Sequence, residues 1–296
     1  MYYSPLRYPG GKGKLAPFVE MLIDDYGHRG GTYIEPFAGG AGIAIELLEK
    51  GVVSQVVIND LDKGVYSFWR AILSDSERFI AELERVPLTI EEWRKQHDIC
   101  LNLNNKYSFE LGFATFFMNR TNRSGIIKGG VVGGKKQNGL WRLDARFNKE
   151  GLINRIKKIS LMKNRIHIYN KDIESFLLNY VPKYEDNAFI FFDPPYYEKG
   201  KQLYMNFFNH DDHVRIEKII RELVKCDWII TYDNVAPIMK IYNEYNICSF
   251  ELNYSAYEKR KARELMIFKN EKMIPSRIMF NEKKCHLKLV EEKQHV

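Results

Sequence analysis

The feature that most constrains this chain is the apolar run 188–192, Ala-Phe-Ile-Phe-Phe, which Asp193-Pro194-Pro195-Tyr196 follows directly. Five consecutive apolar residues that stop at a turn are typical of a strand buried on both faces, as in the middle of a parallel sheet. Two adjacent prolines cannot extend the strand, so it is predicted to end in a rigid loop. Open α/β sheets bind ligands at the carboxyl ends of their strands, which predicts a site at the tetrapeptide.

Strand and helix patterns alternate along much of the chain, as expected for an α/β fold with a parallel sheet. An extended apolar stretch at 32–37 breaks into a glycine loop at 38–42, and a helical pattern follows at 43–50. A second strand pattern at 52–58 precedes a helical pattern at 61–73. Further strand patterns lie at 167–170, 228–232 and 265–268.

The alternation stops between residues 74 and 166, where polar helical patterns and a glycine-rich basic segment take its place. This segment is predicted to be a mostly helical insert with a basic hairpin. The two flanking segments, 1–73 and 167–270, are predicted to form one catalytic domain. Residues 271–296 are rich in Lys and Glu and are expected to form a peripheral tail.

The charge balance favours a polyanionic partner. Lys and Arg outnumber Asp and Glu by 45 to 38, which gives a net charge of +7 and an isoelectric point near 9.0. No apolar run is as long as a membrane span, so a cytoplasmic protein without a membrane partner is expected. The four cysteines lack the spacing of zinc ligands, and no metal is expected.

A glycine loop between a strand and a helix lets a ligand approach the backbone, which suits Gly39, Gly40 and Gly42. Asp60 ends the second strand pattern, where a carboxylate can accept hydrogen bonds from ribose hydroxyls. The alternative is a tight turn followed by ordinary helix capping by Asp60 or Asp62.

The tetrapeptide suits chemistry on the exocyclic amine of a base. Such an amine is a poor nucleophile because its lone pair is delocalised into the ring. Asp193 and the Pro194 carbonyl offer acceptors for its hydrogens, while Tyr196 offers a flat face for a base rotated out of the duplex. The alternative is that the tetrapeptide only ends a strand.

Taken in order, these motifs resemble those of the Dam-type (alpha-group, D12 class) DNA adenine-N6 methyltransferases, over roughly residues 4–270. The resemblance implies an S-adenosyl-L-methionine-dependent methyltransferase with a Rossmann-like sheet, whose insert recognises its target in double-stranded DNA. Two departures are visible: the loop reads Ala-Gly-Gly-Ala-Gly where many members have a shorter Gly-x-Gly, and Ile173 replaces a frequent aromatic residue. Its motifs fall on cofactor-contacting positions that correspond here to Tyr8, Lys12, Glu35, Phe37, Gly39, Gly40, Asp60, Asp172 and Asp193.

The insert carries eight basic residues and one acid between positions 119 and 149. Cations contact phosphates, and amide or guanidinium groups can read base edges, so Asn122 and Gln137 are also candidates for base reading. A solvated flexible loop is the alternative. The predicted DNA-binding residues are Arg120, Arg123, Lys128, Lys135, Lys136, Asn138 and Arg142.

Three other functions are alternatives. Methyl transfer to cytosine N4 uses a related tetrapeptide, often with Ser first, so Asp193 favours adenine. A silent DNA-binding protein would not need an intact Asp193, Tyr196 and Asp60. A nicotinamide-dependent oxidoreductase would need a different glycine spacing. The sequence leaves open the DNA recognition sequence, the oligomeric state and whether a separately encoded restriction endonuclease is a partner.

Overall fold

The structure is a computed structural model that describes residues 3–7, 12–103, 106–198, 208–253, 261–275, 279–282, 285–288 and 290–291. Its main sheet has the order β3-β2-β1-β4-β5-β7-β6, with a short β10 added beside β6. The main strands are β1 (Thr32–Glu35), β2 (Gln55–Asn59), β3 (Ile166–Tyr169), β4 (Ala188–Phe192), β5 (Asp227–Asp233), β6 (Asn246–Asn253) and β7 (Lys261–Phe268). The remaining strands are β8 (Met279–Glu282), β9 (Cys285–Lys288) and β10 (Val290–Glu291).

Strands β1 to β5 are parallel to one another, and β7 is antiparallel to both β5 and β6. The strand order reverses between β1 and β4, and ligands bind at such a switch point. The predicted α/β class with a Rossmann-like sheet is confirmed.

The apolar run at 188–192 is the central strand that the sequence predicts, and all five of its residues are buried. Its side chains alternate between the two faces, as a strand requires. Phe189 and Phe191 belong to one hydrophobic cluster, whereas Ile190 and Phe192 belong to another on the opposite face.

Helices cover both faces of the sheet. The first cluster contains α1 (Ala16–Asp25), α2 (Gly42–Glu49) and α3 (Lys63–Ser74), and the second contains α8 (Ile173–Asn179), α9 (His210–Leu223) and α10 (Ala236–Ile241). These bounds match the helical patterns at 43–50 and 61–73 to within two residues. The two layers leave the carboxyl ends of β1, β2 and β4 at one common edge.

The described part of the segment 74–166, which lacks residues 104 and 105, is mostly helical, with four α-helices and an irregular loop before the last. The helices are α4 (Ser76–Arg85), α5 (Ile90–Asn102), α6 (Phe109–Thr121) and α7 (Lys149–Leu161). Helix α6 packs closely on α3: a Cβ on Gly112 would lie 2.5 Å from the Ser67 carbonyl oxygen. Buried residues of the insert belong to the same hydrophobic cluster as the helices on one face of the sheet. The structure therefore gives the insert no core of its own, and a separate domain at 74–166 stays a prediction.

The sequence patterns did not predict two of the strand regions. Strand β6 pairs with β7 along its whole length, although its sequence mixes polar and apolar residues. Part of the charged tail also has regular structure, since β8 pairs with β9 and β10 pairs with β6. Among the described residues, no helix is long and apolar enough to cross a membrane.

Candidate active site

Asp193 lies directly after β4, at the carboxyl edge of the sheet. Its Oδ1 accepts a hydrogen bond of 2.7 Å from the Thr231 hydroxyl on β5, and the Lys12 ammonium lies 3.4 Å away. Burial raises the pKa of the Asp193 carboxyl above its ordinary value, and the Lys12 charge opposes that rise. The carboxylate is therefore held in place by partners from two other parts of the chain.

Lys12 begins a short 3-10 turn, Lys12–Leu15, and its side chain is buried. Its ammonium group donates to Glu264 Oε2 at 2.8 Å and to the Tyr196 hydroxyl. The sequence predicted Lys12 as a cofactor contact, and the structure brings it into the group around Asp193. Buried charges of this kind are stable only when they are paired, which Asp193 and Glu264 achieve.

Tyr196 faces inward from the tetrapeptide loop, with 6% of its surface exposed. Its hydroxyl donates to Glu264 Oε2 at 2.7 Å, and the Lys12 ammonium lies over its ring, 4.6 Å from the centroid. Glu264 was not predicted from the sequence, because a single acid within the β7 pattern carries no local signal of function. The structure makes it the residue that joins Lys12 to Tyr196.

A second unpredicted acid, Asp233, holds the chain after the tetrapeptide. It ends β5 and is buried, and its two carboxylate oxygens accept from the Tyr197 and Glu198 backbone N–H groups, both at 2.9 Å. Asp233 is also the register partner of Glu264 on β7. Its sequence signal was available: it is an acid at the end of an apolar strand, as Asp193 and Asp60 are.

The glycine loop after β1 is fixed from both sides. The Gly39 N–H donates to Asp60 Oδ2 at 2.8 Å, and the buried Trp69 indole donates to the Gly39 carbonyl at 3.0 Å. Gly39 has a φ of +46°, a conformation that glycine adopts without strain. Gly40 is buried in the same loop. The sequence did not predict the contact between the Trp69 indole and Gly39, because nothing in the local pattern distinguishes Trp69 from an ordinary core residue.

The two acids after β2 have different roles. Asp62 caps α3 by accepting from the Val65 N–H at 3.0 Å, whereas Asp60 accepts from Gly39 and from the Asp62 N–H. The capping alternative therefore applies to Asp62 and not to Asp60. Burial, with the Asp62 charge as the next cause, raises the pKa of Asp60 to about 7.

Glu35 and Phe37 lie on either side of the turn that leaves β1. Burial raises the pKa of Glu35 to about 8, and its Oε1 accepts from the Ala44 N–H at 3.0 Å. Phe37 is half-buried and makes an edge contact with Phe208, with the ring centroids 6.1 Å apart. Both residues thus lie at the same sheet edge as Gly39 and Asp60.

Asn59, which the sequence did not single out, joins three strand ends. Its amide donates to the Pro36 and Lys171 carbonyls, and its oxygen accepts from the Lys171 N–H at 2.9 Å. Asp172 follows Lys171, is exposed and caps α8 by accepting from the Ser175 N–H at 2.9 Å. A small pocket with Ala38, Asp60 and Tyr169 in its lining lies at this edge. Tyr8 lies outside the described residues.

The predicted DNA-binding residues separate into an exposed set and one buried residue. Arg120 is 8% exposed, and burial, with Arg155, Arg7 and Arg146 nearby, lowers the pKa of its guanidinium to about 9. The structure thus removes Arg120 from the accessible cations, because α6 is buried along most of its length. The exposed residues are Arg123, Lys128, Lys135, Lys136, Asn138 and Arg142.

Asn122 and Gln137 hold the loop together and do not face outward. The buried Asn122 accepts from the Trp93 indole at 2.7 Å and donates to the Ile126 and Ile127 carbonyls. Gln137 donates to the Val132 and Gly134 carbonyls and accepts from the Leu143 N–H. The interpretation of both amides as base readers is therefore wrong. In place of a regular hairpin, the segment is a turn-rich loop with one antiparallel bridge between Asn122 and Val131.

The base of this loop is tied to the amino-terminal segment. The Arg7 N–H donates to Asn119 Oδ1 at 2.7 Å, and the Asn119 amide donates to the carbonyls of Arg7 at 2.6 Å and Gly125 at 2.9 Å. Lys12, at the Asp193 site, follows Arg7 by five residues. The loop and the catalytic edge therefore share one short stretch of chain.

Asn209 and Asp212, beside the histidine and aspartate residues near 210, form a helix cap. Asn209 accepts from the Asp212 N–H, and Asp212 accepts from the Asn209 N–H, which completes a capping box at the start of α9. Among the residues that the structure describes, no group of three or more His, Cys, Asp or Glu side chains could hold a metal ion.

The strand order, the glycine loop and the two acids Asp60 and Asp193 at the sheet edge define an S-adenosylmethionine-dependent methyltransferase fold. The sequence profile of the D12 class N6 adenine-specific DNA methyltransferases matches residues 8–256, so the chain belongs to this family and is an adenine-specific DNA methyltransferase. The resemblance predicted from the motifs is confirmed.

Two curated relatives agree with this assignment along nearly the whole chain. The type II methyltransferase M.MjaIII of Methanocaldococcus jannaschii is 25% identical over 288 residues, which cover 90% of this chain and 93% of the relative. The type II methyltransferase M1.LlaDCHI of Lactococcus lactis subsp. cremoris is 24% identical over 278 residues, covering 87% and 90%.

Solved structures of low sequence identity also match parts of the chain, with low TM-scores. The rRNA methyltransferase aviRa of Streptomyces viridochromogenes has a TM-score of 0.36 and 12% identity, covering 88% of this chain and 86% of its own. A methyltransferase from Pyrococcus furiosus has a TM-score of 0.33 and 10% identity, covering 86% and 83%.

Proposed function

We propose that this chain transfers a methyl group from S-adenosylmethionine to N6 of an adenine rotated out of double-stranded DNA. The observation that carries the proposal is the position of Asp193: it ends the central strand, lies at the switch point and is held by Thr231 and Lys12. The bound cofactor supplies a methyl group activated by a positively charged sulfur.

The residues at the sheet edge suit the cofactor. Asp60 uses one hydrogen bond on each carboxylate oxygen, which leaves acceptor capacity for ribose hydroxyls. The pocket beside it has apolar and aromatic side chains, among them Ala38, Trp69 and Tyr169, that suit a nucleoside base. Glu35 and the fixed glycine loop would lie toward the amino-acid end of the cofactor, and the exposed Asp172 toward its base.

Asp193 and the Pro194 carbonyl would accept hydrogen bonds from the adenine amine and draw its hydrogens out of the ring plane. The N6–methyl bond forms as the sulfur–methyl bond breaks, and the Asp193 carboxylate accepts the proton that leaves N6. A carboxylate with a raised pKa is a better proton acceptor, which fits the burial of Asp193.

Tyr196 would stack on the extruded adenine. The Lys12 ammonium, which donates to the Tyr196 hydroxyl, would fix the ring that the base contacts. The exposed cations of the insert loop would contact DNA phosphates, and Asn138 and the arginines would reach base edges. The type II names of both relatives support a modification role beside a separate restriction endonuclease.

The test is the identity of the methylated base. Unmethylated duplex DNA is incubated with the protein and S-adenosylmethionine labelled in its methyl group, then digested to nucleosides and analysed by mass spectrometry. Labelled N6-methyladenine is the expected product. Labelled N4-methylcytosine, or no labelled nucleoside, would overturn the proposal.

A further inference from the structure

Two neighbouring large apolar side chains are displayed on the insert loop. Leu140 is 91% exposed and Trp141 is 68% exposed. Single exposed apolar residues are common in proteins, but two adjacent ones at the same point of a loop are a candidate for contact with a partner. The two ends of the loop are buried by contrast: Val131 lies in the core, and the Phe147 and Phe117 ring centroids are 5.4 Å apart.

The loop that carries this pair has a fixed shape. The Gln137 side chain makes three hydrogen bonds to loop backbone groups, at 2.6 to 2.9 Å. Gly133 has a φ of +81°, and a Cβ there would lie 2.6 Å from the Trp141 carbonyl oxygen. The Trp141 backbone is therefore packed against Gly133 while its side chain is exposed. Because the loop backbone is already ordered, it loses little conformational entropy when Trp141 binds a partner.

The charges around the pair indicate the kind of partner. Lys135, Lys136 and Arg142 are exposed on the same loop, and Asp144 is its one acid between positions 119 and 149. A protein that docks on an apolar patch needs no exposed cations on the same loop, whereas duplex DNA presents phosphates on both sides of each base step and binds through them.

The loop also lies within reach of the catalytic edge. Its base is bonded to Arg7 through Asn119, and Lys12 contacts Asp193. Five residues can span at most roughly 18 Å, so Arg7 and Lys12 are close on the scale of a DNA helical turn, about 34 Å. DNA that places a base at Asp193 would therefore pass this loop.

We propose that Leu140 and Trp141 form an apolar wedge that enters the base stack of duplex DNA next to the extruded adenine. This rests on the proposed function, because it assumes that DNA lies along the catalytic edge. The wedge would separate two base steps, and Trp141 would stack on a neighbouring base, so that the unstacking needed to extrude the adenine is partly compensated.

The four tryptophans give a direct test. Trp69, Trp93 and Trp228 are at most 6% exposed, so collisional quenching by acrylamide reports mainly Trp141. The full-length protein is titrated with excess sheared, unmethylated duplex DNA, and quenching is measured with and without DNA. We expect the DNA to reduce the quenching constant several-fold, and the same change to be absent in Trp141→Phe.

Substitutions separate the wedge from the cations. Trp141→Ala is expected to weaken duplex binding by roughly tenfold, whereas Trp141→Phe keeps most of the affinity, because stacking on one base contributes about 1–3 kcal/mol. Trp141→Ala should leave the slope of log affinity against log salt unchanged. Lys135→Ala should lower that slope by about one if Lys135 contacts one phosphate.

The outcomes of the wedge and of the proposed function are distinguishable on the same DNA. If wild-type protein forms N6-methyladenine while Trp141 stays fully open to acrylamide and Trp141→Ala binds DNA normally, the wedge is overturned and the proposed function stands. Such a result would leave the pair as a docking surface for a protein. If DNA shields Trp141 but no methyl group is transferred, the wedge stands and the proposed function fails.

Discussion

Glu264 accepts hydrogen bonds from both Lys12 and Tyr196, which places one buried carboxylate under the catalytic loop. The three groups are 68 or more residues from one another in the sequence and meet only because β7 is antiparallel to β5. Lys12 in turn faces Asp193, so Glu264 acts on the catalytic carboxylate through Lys12. We regard Glu264 as a positioning residue.

Glu264→Gln should therefore slow methyl transfer more than it weakens ligand binding. The substitution keeps the shape of the side chain but removes the carboxylate that accepts from Lys12 and Tyr196, and it should lower the free energy of unfolding by about 1–3 kcal/mol. We expect kcat to fall by about tenfold, with small changes in the affinity for cofactor and DNA. Single-turnover kinetics and urea unfolding measure the two effects.

The exposed Glu271→Gln is the matched control, and it should change neither quantity by more than about 0.5 kcal/mol. Equal losses of cofactor affinity and kcat in Glu264→Gln would contradict the positioning role.

Cofactor affinity should depend on the ionisation of Asp60. Its pKa of about 7 means that the carboxylate, the better acceptor for ribose hydroxyls, is lost as the pH falls through 7. We expect the dissociation constant for S-adenosylmethionine to rise between pH 8 and pH 6, measured by calorimetry. Asp62→Asn keeps a good helix cap but removes the second cause of the raised pKa, so the midpoint should move to lower pH. A midpoint that does not move in this variant would contradict the assignment.

Two buried tryptophans should affect two different ligands. Trp69 holds the Gly39 carbonyl of the cofactor loop, and Trp93 holds Asn122 at the base of the insert loop. Each Phe substitution leaves one buried acceptor unsatisfied, which costs about 1–3 kcal/mol. Trp69→Phe should weaken cofactor binding by about tenfold with little effect on DNA, and Trp93→Phe should do the reverse. Each variant is the control for the other; equal effects on both ligands would show that the changes only loosen the fold.

A pH-dependent contribution to stability lies at the amino-terminal ends of β4 and β5, opposite the catalytic edge. The two ring nitrogens of His28 lie 3.0 Å from an Asp227 carboxylate oxygen and 3.1 Å from the Asn187 side-chain oxygen. The hydrogen bond to Asp227 raises the pKa of His28, and the same bond lowers the pKa of Asp227. The His28 contribution is complete below its unfolded pKa near 6.5 and is lost as the pH rises through the raised folded value.

The Asp227 contribution is complete above its unfolded pKa near 3.8 and is lost as the pH falls through its lowered folded value, so the pair stabilises most between the two unfolded pKa values, 3.8 and 6.5. We expect His28→Gln to lower the free energy of unfolding by about 1 kcal/mol at pH 5.5 and by less at pH 9. Urea unfolding at both pH values measures this difference. A loss that is larger at pH 9 would contradict the sign.

Features encoded by neighbouring residues could be predicted from the sequence. The apolar run before Asp193 placed the tetrapeptide at the end of the central strand, and the glycine loop with Asp60 placed a second group at the same edge. Both predictions depend on local patterns and on the rule that parallel strands end together. Glu264 was missed because its role depends on the register of β7 against β5, which no local pattern reveals. Asp233 follows the same local pattern as Asp193 and Asp60, an acid at the end of an apolar strand, and could have been predicted.

The errors in the insert have a different physical cause. Asn122 and Gln137 were assigned to base reading by residue type, but a tight loop with positive φ angles leaves backbone groups unpaired, and these amides satisfy them. Arg120 was assigned by charge, although it lies at the end of a helix whose apolar sequence indicates burial. The exposed Leu140 and Trp141 were not considered, because sequence alone gives no exposure.

The most direct test of the account is single-turnover methyl transfer by Asp193→Asn. Wild type, Asp193→Asn and the exposed control Asp186→Asn are each saturated with labelled S-adenosylmethionine and duplex DNA, and N6-methyladenine is followed over time. Replacing the carboxylate by an amide removes the proton acceptor but keeps the shape, so the rate should fall by at least about 100-fold in Asp193→Asn alone. A rate for Asp193→Asn equal to that of the control would contradict the central claim that Asp193 is the catalytic acceptor.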